Sequence, residues 1–272
     1  MDKQQRLEIW EEIKKIPIGE VKASHIRDLK LFKGMAGICR DDDGLAISFL
    51  HTGKKYPDDV YETGVTYHYP ETTRAGSHDE NEINSAKKCF ELNIPLFVIL
   101  PGNDAKTRTV ELGWIIDFDD NSKMFLVEFN ENQPLIEQTN QESEEEFIPT
   151  IKRETKKATV KARGNQAKFR LSLFKKYGSK CAVCNIRNKY LLDAAHIIPY
   201  EKNGTDDWRN GLLLCKNHHV AFDRNLFKIN QDYLIEKTSS SSLTELDIHE
   251  EKINTATGLF PHQKALAFIY EK

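Results

Sequence analysis

Residues 181–223 contain, in order, Cys181-Ala-Val-Cys184, Asp193-Ala-Ala-His196, Asn210-Gly211, Cys215-Lys-Asn-His218-His219 and Asp223. Two patterns are interleaved in this segment. One consists of cysteines and a histidine in two close pairs, and the other runs His, Asn, His. Because a metal-binding loop alone needs no Asp-Ala-Ala-His inside it, we interpret the second pattern as a separate site.

The first pattern predicts a structural Zn²⁺ site. Cys181 and Cys184 form a Cys-x2-Cys pair, Cys215 and His218 form a Cys-x2-His pair, and thirty residues separate the pairs. Thiolates and an imidazole at this spacing can close a tetrahedron around Zn²⁺ and leave no position open for a substrate. In a reducing compartment, close cysteines indicate metal or redox chemistry rather than a disulfide. A redox pair and a remnant without metal remain as alternatives.

Composition favours a soluble protein with one large domain or two ordinary ones. The chain has 272 residues, of which 39% are hydrophobic and 30% charged. No apolar run approaches the roughly 18 residues that a membrane span needs, and the N-terminus lacks the apolar stretch of a signal peptide. We therefore expect a cytoplasmic protein with no membrane partner.

Charge is distributed unevenly along the chain. Residues 152–219 carry sixteen lysines and arginines against five acidic residues, although the whole chain has a net charge of -3. A basic segment on an acidic chain predicts a local surface for a polyanion such as DNA, and a solvated basic face is the alternative. The side chains predicted to contact DNA are Arg163, Gln166, Arg170, Lys202 and Arg209.

Hydrophobic periodicity predicts an α+β protein of two domains. An amphipathic helix opens the chain, and short β-like runs with one helix at about 80–92 fill the rest of a mainly β domain at 1–130. Residues 131–162 are rich in Gln, Asn and Glu and then in Lys, which predicts a polar linker. The remaining domain, 163–272, begins with a helix at about 166–177. Its zinc segment then has the order strand, strand, helix.

The C-terminal segment resembles the HNH, or ββα-metal, nuclease family. Three motifs carry the resemblance: Ala194-Ala-His-Ile-Ile-Pro199, Asn210-Gly211-Leu-Leu-Leu and His219-Val-Ala-Phe-Asp223. The upstream stretch 163–170 is also similar to restriction-type members. The resemblance spans about 163–230 and implies a metal-dependent nuclease with a ββα-metal domain.

The resemblance also implies roles for particular residues. His196 would be the general base that takes a proton from water, Asn210 would brace the loop, and His219 with Asp223 would bind a catalytic Mg²⁺ or Mn²⁺. Many members place a metal ligand directly before the base, where this chain has Ala195. Strand alternation puts Asp193 on the same face as that position, so Asp193 is the substitute ligand that we predict. A solvated turn acid is the alternative.

The N-terminal domain loosely resembles the SRA-like modules of the PUA superfamily. Residues 51–70 are rich in tyrosine and carboxylate, and such modules flip a modified cytosine into an aromatic pocket. This predicts a base pocket formed by Tyr56, Asp58, Asp59, Tyr61, Tyr67 and Tyr69. The alternative is that these aromatic residues only pack within the sheet.

These expectations combine into one functional prediction. The chain would be an endonuclease that hydrolyses phosphodiester bonds of double-stranded DNA, with modified cytosine in foreign DNA as its target. One HNH centre cuts one strand, so a double-strand break implies a homodimer or sequential nicking. A sequence-reading HNH nickase or homing-type enzyme is one alternative, and a non-catalytic, zinc-stapled DNA-binding protein is another.

Overall fold

The computed structural model describes residues 1–32, 37–51, 59–72, 76–134, 146–151, 158–238 and 242–270, without the side chains of Asp59 and of 158–163. The chain divides into two compact units. Unit 1 comprises Met1–Phe118 and Lys123–Gln138, and unit 2 comprises Asp119–Ser122 and Thr139–Lys272. In the described residues, no helix has the length and apolar character needed to cross a membrane.

The described residues of unit 1 form three helices and one large sheet. Its helices are α1 (Lys3–Ile13), α2 (Ala23–Asp28) and α3 (His78–Glu91). Its strands are β1 (Val21–Lys22), β2 (Ile38–Arg40), β3 (Ala46–Leu50), β4 (Asp59–Tyr61), β5 (Gly64–His68), β6 (Leu96–Pro101), β7 (Thr107–Asp119) and β8 (Met124–Phe129). The mainly β texture predicted from the sequence is therefore present.

The sheet of unit 1 is mostly antiparallel. Its strand order is β2-β3-β6-β7-β8-β5-β4, and β1 pairs with β7. The exception is the parallel pair β3 and β6, whose connection includes α3, as parallel strands require a long crossover. Helix α1 starts at a capping box between Asp2 and Gln5 and buries Trp10 and Ile13 in the core.

Unit 2 is built around a strand-strand-helix core. Its helices are α4 (Ala158–Tyr177), α5 (Lys216–Asp223) and α6 (Gln263–Phe268). Its strands are β9 (Leu192–His196), β10 (Gly211–Cys215), β11 (Phe227–Ile229) and β12 (Ile235–Lys237). Strands β9 and β10 pair antiparallel, β11 pairs with β12, and α5 follows β10 directly.

Part of the predicted linker packs on unit 2. Phe147 is buried and stacks on His262 with ring centroids 4.6 Å apart. Thr150 bridges to Gly204, and α4 begins at Ala158, eight residues before the predicted start. Of the predicted linker 131–162, residues 147–151 and 158–162 are therefore ordered parts of unit 2. Burial removes the apolar Phe147 ring from water, and this hydrophobic stabilisation would be absent in a solvated tether.

Candidate active site

The two strands of the site position its ligands through their register. Gly211 pairs with His196, Leu214 with Asp193, and Cys215 with Leu192. Asp193 and Ala195 therefore share one face of β9, whereas His196 ends the strand on the other face. Cys215 ends β10 and is the residue before α5. The hairpin thus carries residues of both patterns to the start of one helix.

The cysteines and His218 form one compact cluster. One donor atom from each of Cys181, Cys184, Cys215 and His218 lies within 4.8 Å of all the others. His218 Nδ1 lies 3.6 Å from Cys181 Sγ and 3.1 Å from Cys215 Sγ. On the opposite side of the ring, Nε2 donates to Leu246 O at 2.8 Å, which leaves the Nδ1 lone pair directed at the sulfurs.

These donors fit a structural metal. Three sulfurs and one imidazole nitrogen are the set that favours Zn²⁺, and a carbonyl behind the histidine is the usual outer partner of such a ligand. Burial raises the pKa of Cys184 to about 12 and also raises that of Cys215, whereas at Cys181 the neighbouring His218 ring and backbone amides outweigh burial and lower the pKa to about 7. Of the three thiols, Cys181 is thus the one favoured as a thiolate, the form that binds metal.

His196 is held on two sides. Its Nε2 lies 2.9 Å from Asp206 Oδ1, and its ring stacks on Phe169 of α4 with centroids 3.9 Å apart and planes 13° apart. A Cβ on Gly211 would lie 2.5 Å from the Phe169 ring, so the glycine of Asn210-Gly211 makes room for this stack. Neither Phe169 nor Asp206 was predicted from the sequence to contact His196.

Asn210 closes the loop that follows His196. Its side chain is fully buried, accepts a hydrogen bond from Ile198 N at 2.9 Å and donates to Ile198 O at 3.1 Å. It also donates to Thr205 O at 2.8 Å. From a position shielded from solvent, Asn210 therefore ties Ile198 to Thr205.

His219 lies between two carboxylates. Its Nδ1 is 3.6 Å from Asp193 Oδ2, and its Nε2 is 3.5 Å from Asp223 Oδ2. Interaction with the Asp193 carboxylate is the main reason that the pKa of His219 lies above its ordinary value, and the same interaction lowers the pKa of Asp193. Asp193, which also pairs with Lys216 at 3.2 Å, therefore reaches the histidine.

The group formed by Asp193, His219 and Asp223 is more widely spaced than the cysteine cluster. Within the described part of the chain, only the cysteine cluster brings three or more donors within 4.8 Å of one another. Asp193, His219 and Asp223 offer two carboxylates and an imidazole without closing a cage. Such a donor set fits a divalent ion that keeps waters or phosphate oxygens in its remaining positions.

His196 and Asp223 line the same cleft of unit 2. The cleft has a volume of about 420 Å³, and Lys202 and Lys228 line it as well. Part of its wall is apolar and comes from Phe222, Phe227, Phe268 and Ile269. Two lysines against one carboxylate give the lining of the cleft a formal positive charge.

The other residues predicted to contact DNA differ in their surroundings. Gln166 is exposed, and the side chain of Arg163 lies outside the described residues. Arg170 donates to Leu192 O at 2.9 Å, and Arg209 pairs with Asp207 at 2.7 Å. Both arginines therefore support the fold of unit 2.

The predicted base pocket of unit 1 must be revised. Tyr67 and Tyr69 are 5% and 4% exposed. Tyr67 stacks on Phe49, and its hydroxyl donates to Gly37 O. Tyr69 packs 4.4 Å from Phe125, so both are core residues and leave the pocket. Tyr61 stays half-buried in β4, whereas Tyr56, Asp58 and the Asp59 side chain lie outside the described residues.

Comparison with known proteins finds two solved structures that partly resemble this chain. The first is titled "Modification dependent TagI restriction endonuclease" and is 16% identical, with 94% of this chain and 92% of that chain covered at a TM-score of 0.38. The second, "Structure of the Type IV phosphorothioation-dependent restriction endonuclease ScoMcrA", is 14% identical, with 73% and 63% covered at a TM-score of 0.28. No curated protein matches the chain significantly.

A protein-family model described as HNH endonuclease matches residues 181–230. This stretch spans β9, β10 and α5 together with all four members of the cysteine cluster. The match confirms the HNH resemblance over these residues and favours catalysis over a purely DNA-binding role. Unit 2 therefore contains an HNH endonuclease domain, the domain of a DNA-cleaving enzyme.

Proposed function

We propose that the chain is a metal-dependent endonuclease that hydrolyses phosphodiester bonds of double-stranded DNA in the cleft of unit 2. The observation that carries this proposal is that His196 and Asp223 line one cleft together with two lysines. A base and a metal-binding carboxylate can then act on the same phosphate. The HNH match over 181–230 supports the same reaction class.

The residues of the cleft divide the work of hydrolysis. His196 takes the proton of the attacking water, while the buried Asn210 amide holds the loop that follows it. Lys202 and Lys228 contact backbone phosphates of the DNA. Asp193, His219 and Asp223 would hold Mg²⁺ or Mn²⁺, which supplies Lewis-acid stabilisation of charge on the phosphate and on the leaving oxygen.

Plasmid cleavage tests the nuclease proposal. Supercoiled plasmid is incubated with the full chain and Mg²⁺ or Mn²⁺, beside His196→Ala and the control His249→Ala, whose histidine is exposed and outside the cleft. We expect nicking or linearisation by wild type and control, and a loss of about 10²- to 10⁴-fold in His196→Ala. If wild-type protein leaves plasmids supercoiled with every metal and every DNA modification, the proposal is wrong.

For specificity, we propose that the enzyme restricts modified foreign DNA and that unit 1 reads the modification. A small nuclease domain needs a partner to supply selectivity, and unit 1 is the available candidate as an SRA-like, PUA-superfamily module. Two centres on a homodimer would cut both strands. In unit 1, the half-buried Tyr61 is the described aromatic residue that stays in the predicted pocket.

The selectivity is tested by comparing DNA substrates of one sequence. Cleavage rates are measured on unmodified, 5-methylcytosine, 5-hydroxymethylcytosine, glucosylated and phosphorothioate-containing DNA. We expect one modification to raise the rate strongly and Tyr61→Ala to reduce that preference. Equal rates on all substrates would refute modification dependence while leaving the nuclease chemistry intact, and would favour a sequence-reading nickase.

A further inference from the structure

We propose that Asp206 is the positioning residue of the general base. Its carboxylate accepts a hydrogen bond from the Nε2–H group of His196, which leaves Nδ1 as the nitrogen that takes the proton of the attacking water. The inference rests on the proposed nuclease function and extends it to a residue outside the His, Asn, His series. In the sequence, Asp206 is only one of the five acidic residues of a basic segment.

The contact between the two side chains has the geometry of a strong hydrogen bond. His196 Nε2 and Asp206 Oδ1 are 2.9 Å apart, and the side chains are 15% and 22% exposed. A carboxylate can only accept, so the shared proton belongs to Nε2 in the neutral imidazole. Charge-assisted hydrogen bonds are roughly twice as strong as neutral ones, and partial burial limits their screening by water.

The loop between the two residues is built to bring Asp206 back to His196. The Asn210 amide holds the start of the loop at Ile198 and its end at Thr205, the residue before Asp206. At Gly204 a Cβ would lie 1.9 Å from Ile198 O, so the loop closes only with glycine there. One buried amide therefore fixes the backbone on both sides of the pair.

The ring of His196 is fixed in a second direction by Phe169. The two rings are nearly parallel, so the imidazole cannot rotate without losing the stack. With Nε2 engaged by Asp206 and one ring face covered by Phe169, Nδ1 is the remaining basic atom of a side chain that lines the cleft. A fixed tautomer and a fixed ring plane are what a general base needs from its surroundings.

A double-mutant cycle distinguishes an Asp206 that positions His196 from an Asp206 that only stabilises the fold. Single-turnover cleavage is measured for wild type, Asp206→Asn, Asp206→Ala, His196→Ala and His196→Ala combined with Asp206→Asn. Glu201→Gln is the control, because it removes one negative charge from an exposed position of the same loop. Circular dichroism and thermal unfolding of the full chain accompany every variant.

If Asp206 acts through His196, Asp206→Asn lowers the rate by at least about 10-fold in the wild-type background. The loss cannot exceed that of His196→Ala, because the general base as a whole contributes about 10²- to 10⁴-fold. In the His196→Ala background the same substitution then changes the rate by less than about 2-fold. Similar losses in both backgrounds would assign Asp206 a structural role and overturn the inference.

The tautomer is observed directly by ¹⁵N NMR of the imidazoles in the full-length protein, with His196→Ala identifying the signals. We expect His196 to carry its proton on Nε2 in wild type and to lose this preference in Asp206→Asn. A proton on Nδ1 in wild type overturns the inference even if the cleavage rates are too low to compare. Full activity of His196→Ala would instead refute the proposed general base.

Discussion

Removal of the Asn210 amide should destabilise unit 2 more than the loss of any exposed polar side chain. In Asn210→Ala the buried Ile198 N–H loses its acceptor, which costs about 1–3 kcal/mol. The carbonyls of Ile198 and Thr205 each lose a donor, at about 1 kcal/mol apiece. We therefore expect a loss of about 3–5 kcal/mol in the free energy of unfolding of unit 2.

Asn210→Asp sharpens the same prediction. The carboxylate is nearly isosteric and still accepts the hydrogen bond from Ile198 N. Its second oxygen, however, faces the carbonyl oxygens of Ile198 and Thr205, which in wild type accept hydrogen bonds from the Asn210 amide. Its cost at neutral pH should therefore equal or exceed that of the alanine variant. Asn217→Ala, at an exposed position of α5, is the control and should change stability by no more than about 0.5 kcal/mol.

Urea unfolding followed by circular dichroism, together with hydrogen exchange of residues 197–206, measures the effect. We expect a lower unfolding midpoint in both Asn210 variants and faster exchange at Ile198 and its neighbours. An unfolding free energy of Asn210→Ala within about 1 kcal/mol of wild type, with unchanged exchange in the loop, would refute the reasoning.

Three further predictions concern metals and packing. Elemental analysis of purified protein should find one zinc per chain, and Cys181→Ala should lose it and unfold at a lower temperature; a metal-free, fully stable wild type would contradict the cluster. Asp193→Asn should raise the Mg²⁺ concentration for half-maximal cleavage by about 10-fold, and an unchanged concentration would exclude Asp193 as a ligand. Gly211→Ala should push Phe169 off His196 and cost about 1–3 kcal/mol, and unchanged stability and cleavage rate would show that the stack is dispensable.

Local spacing carried most of what the sequence could predict about the site. The pairs Cys181-x2-Cys184 and Cys215-x2-His218 each lie within a few residues, so their geometry follows from one turn and one helix start. The same holds for His219 and Asp223, four residues apart on α5. The structure brings these groups together because short-range geometry depends little on the rest of the fold.

The features that could not be predicted from the sequence depend on contacts between residues that are far apart in the chain. Asp206 meets His196 only because a loop is folded back by Asn210, and Phe169 meets it only because α4 packs on β9. In unit 1, Arg6 looks like a solvated helix residue, yet it is fully buried and donates to Ala46 O and Pro95 O, both at 2.7 Å. No local pattern encodes such partners, because they lie 40 and 89 residues away.

The aromatic strand β5 shows the opposite error, because its tyrosines were predicted to line a base pocket and instead lie in the core. All residues of β5 are buried because the strand lies inside the sheet and both of its faces are covered. Tyr67 then pairs its hydroxyl with a backbone carbonyl, as buried tyrosines commonly do. A tyrosine-rich strand therefore indicates a base pocket only where one face stays open, which leaves Tyr61 on the short strand β4 as the described candidate.

The cysteine cluster and the proposed nuclease centre of unit 2 share helix α5. Cys215 ends β10 and precedes α5, His218 faces the sulfurs from the first turn of that helix, and His219 faces Asp193 from the next position. Successive helical side chains diverge by about 100°, so a metal bound by His218 sets the rotation of α5 about its axis. We expect that rotation to set how His219, which contacts both Asp193 and Asp223, faces these carboxylates. We therefore expect a structural metal to affect cleavage without touching the substrate, by holding the helix that carries two of the three proposed ligands of the catalytic ion.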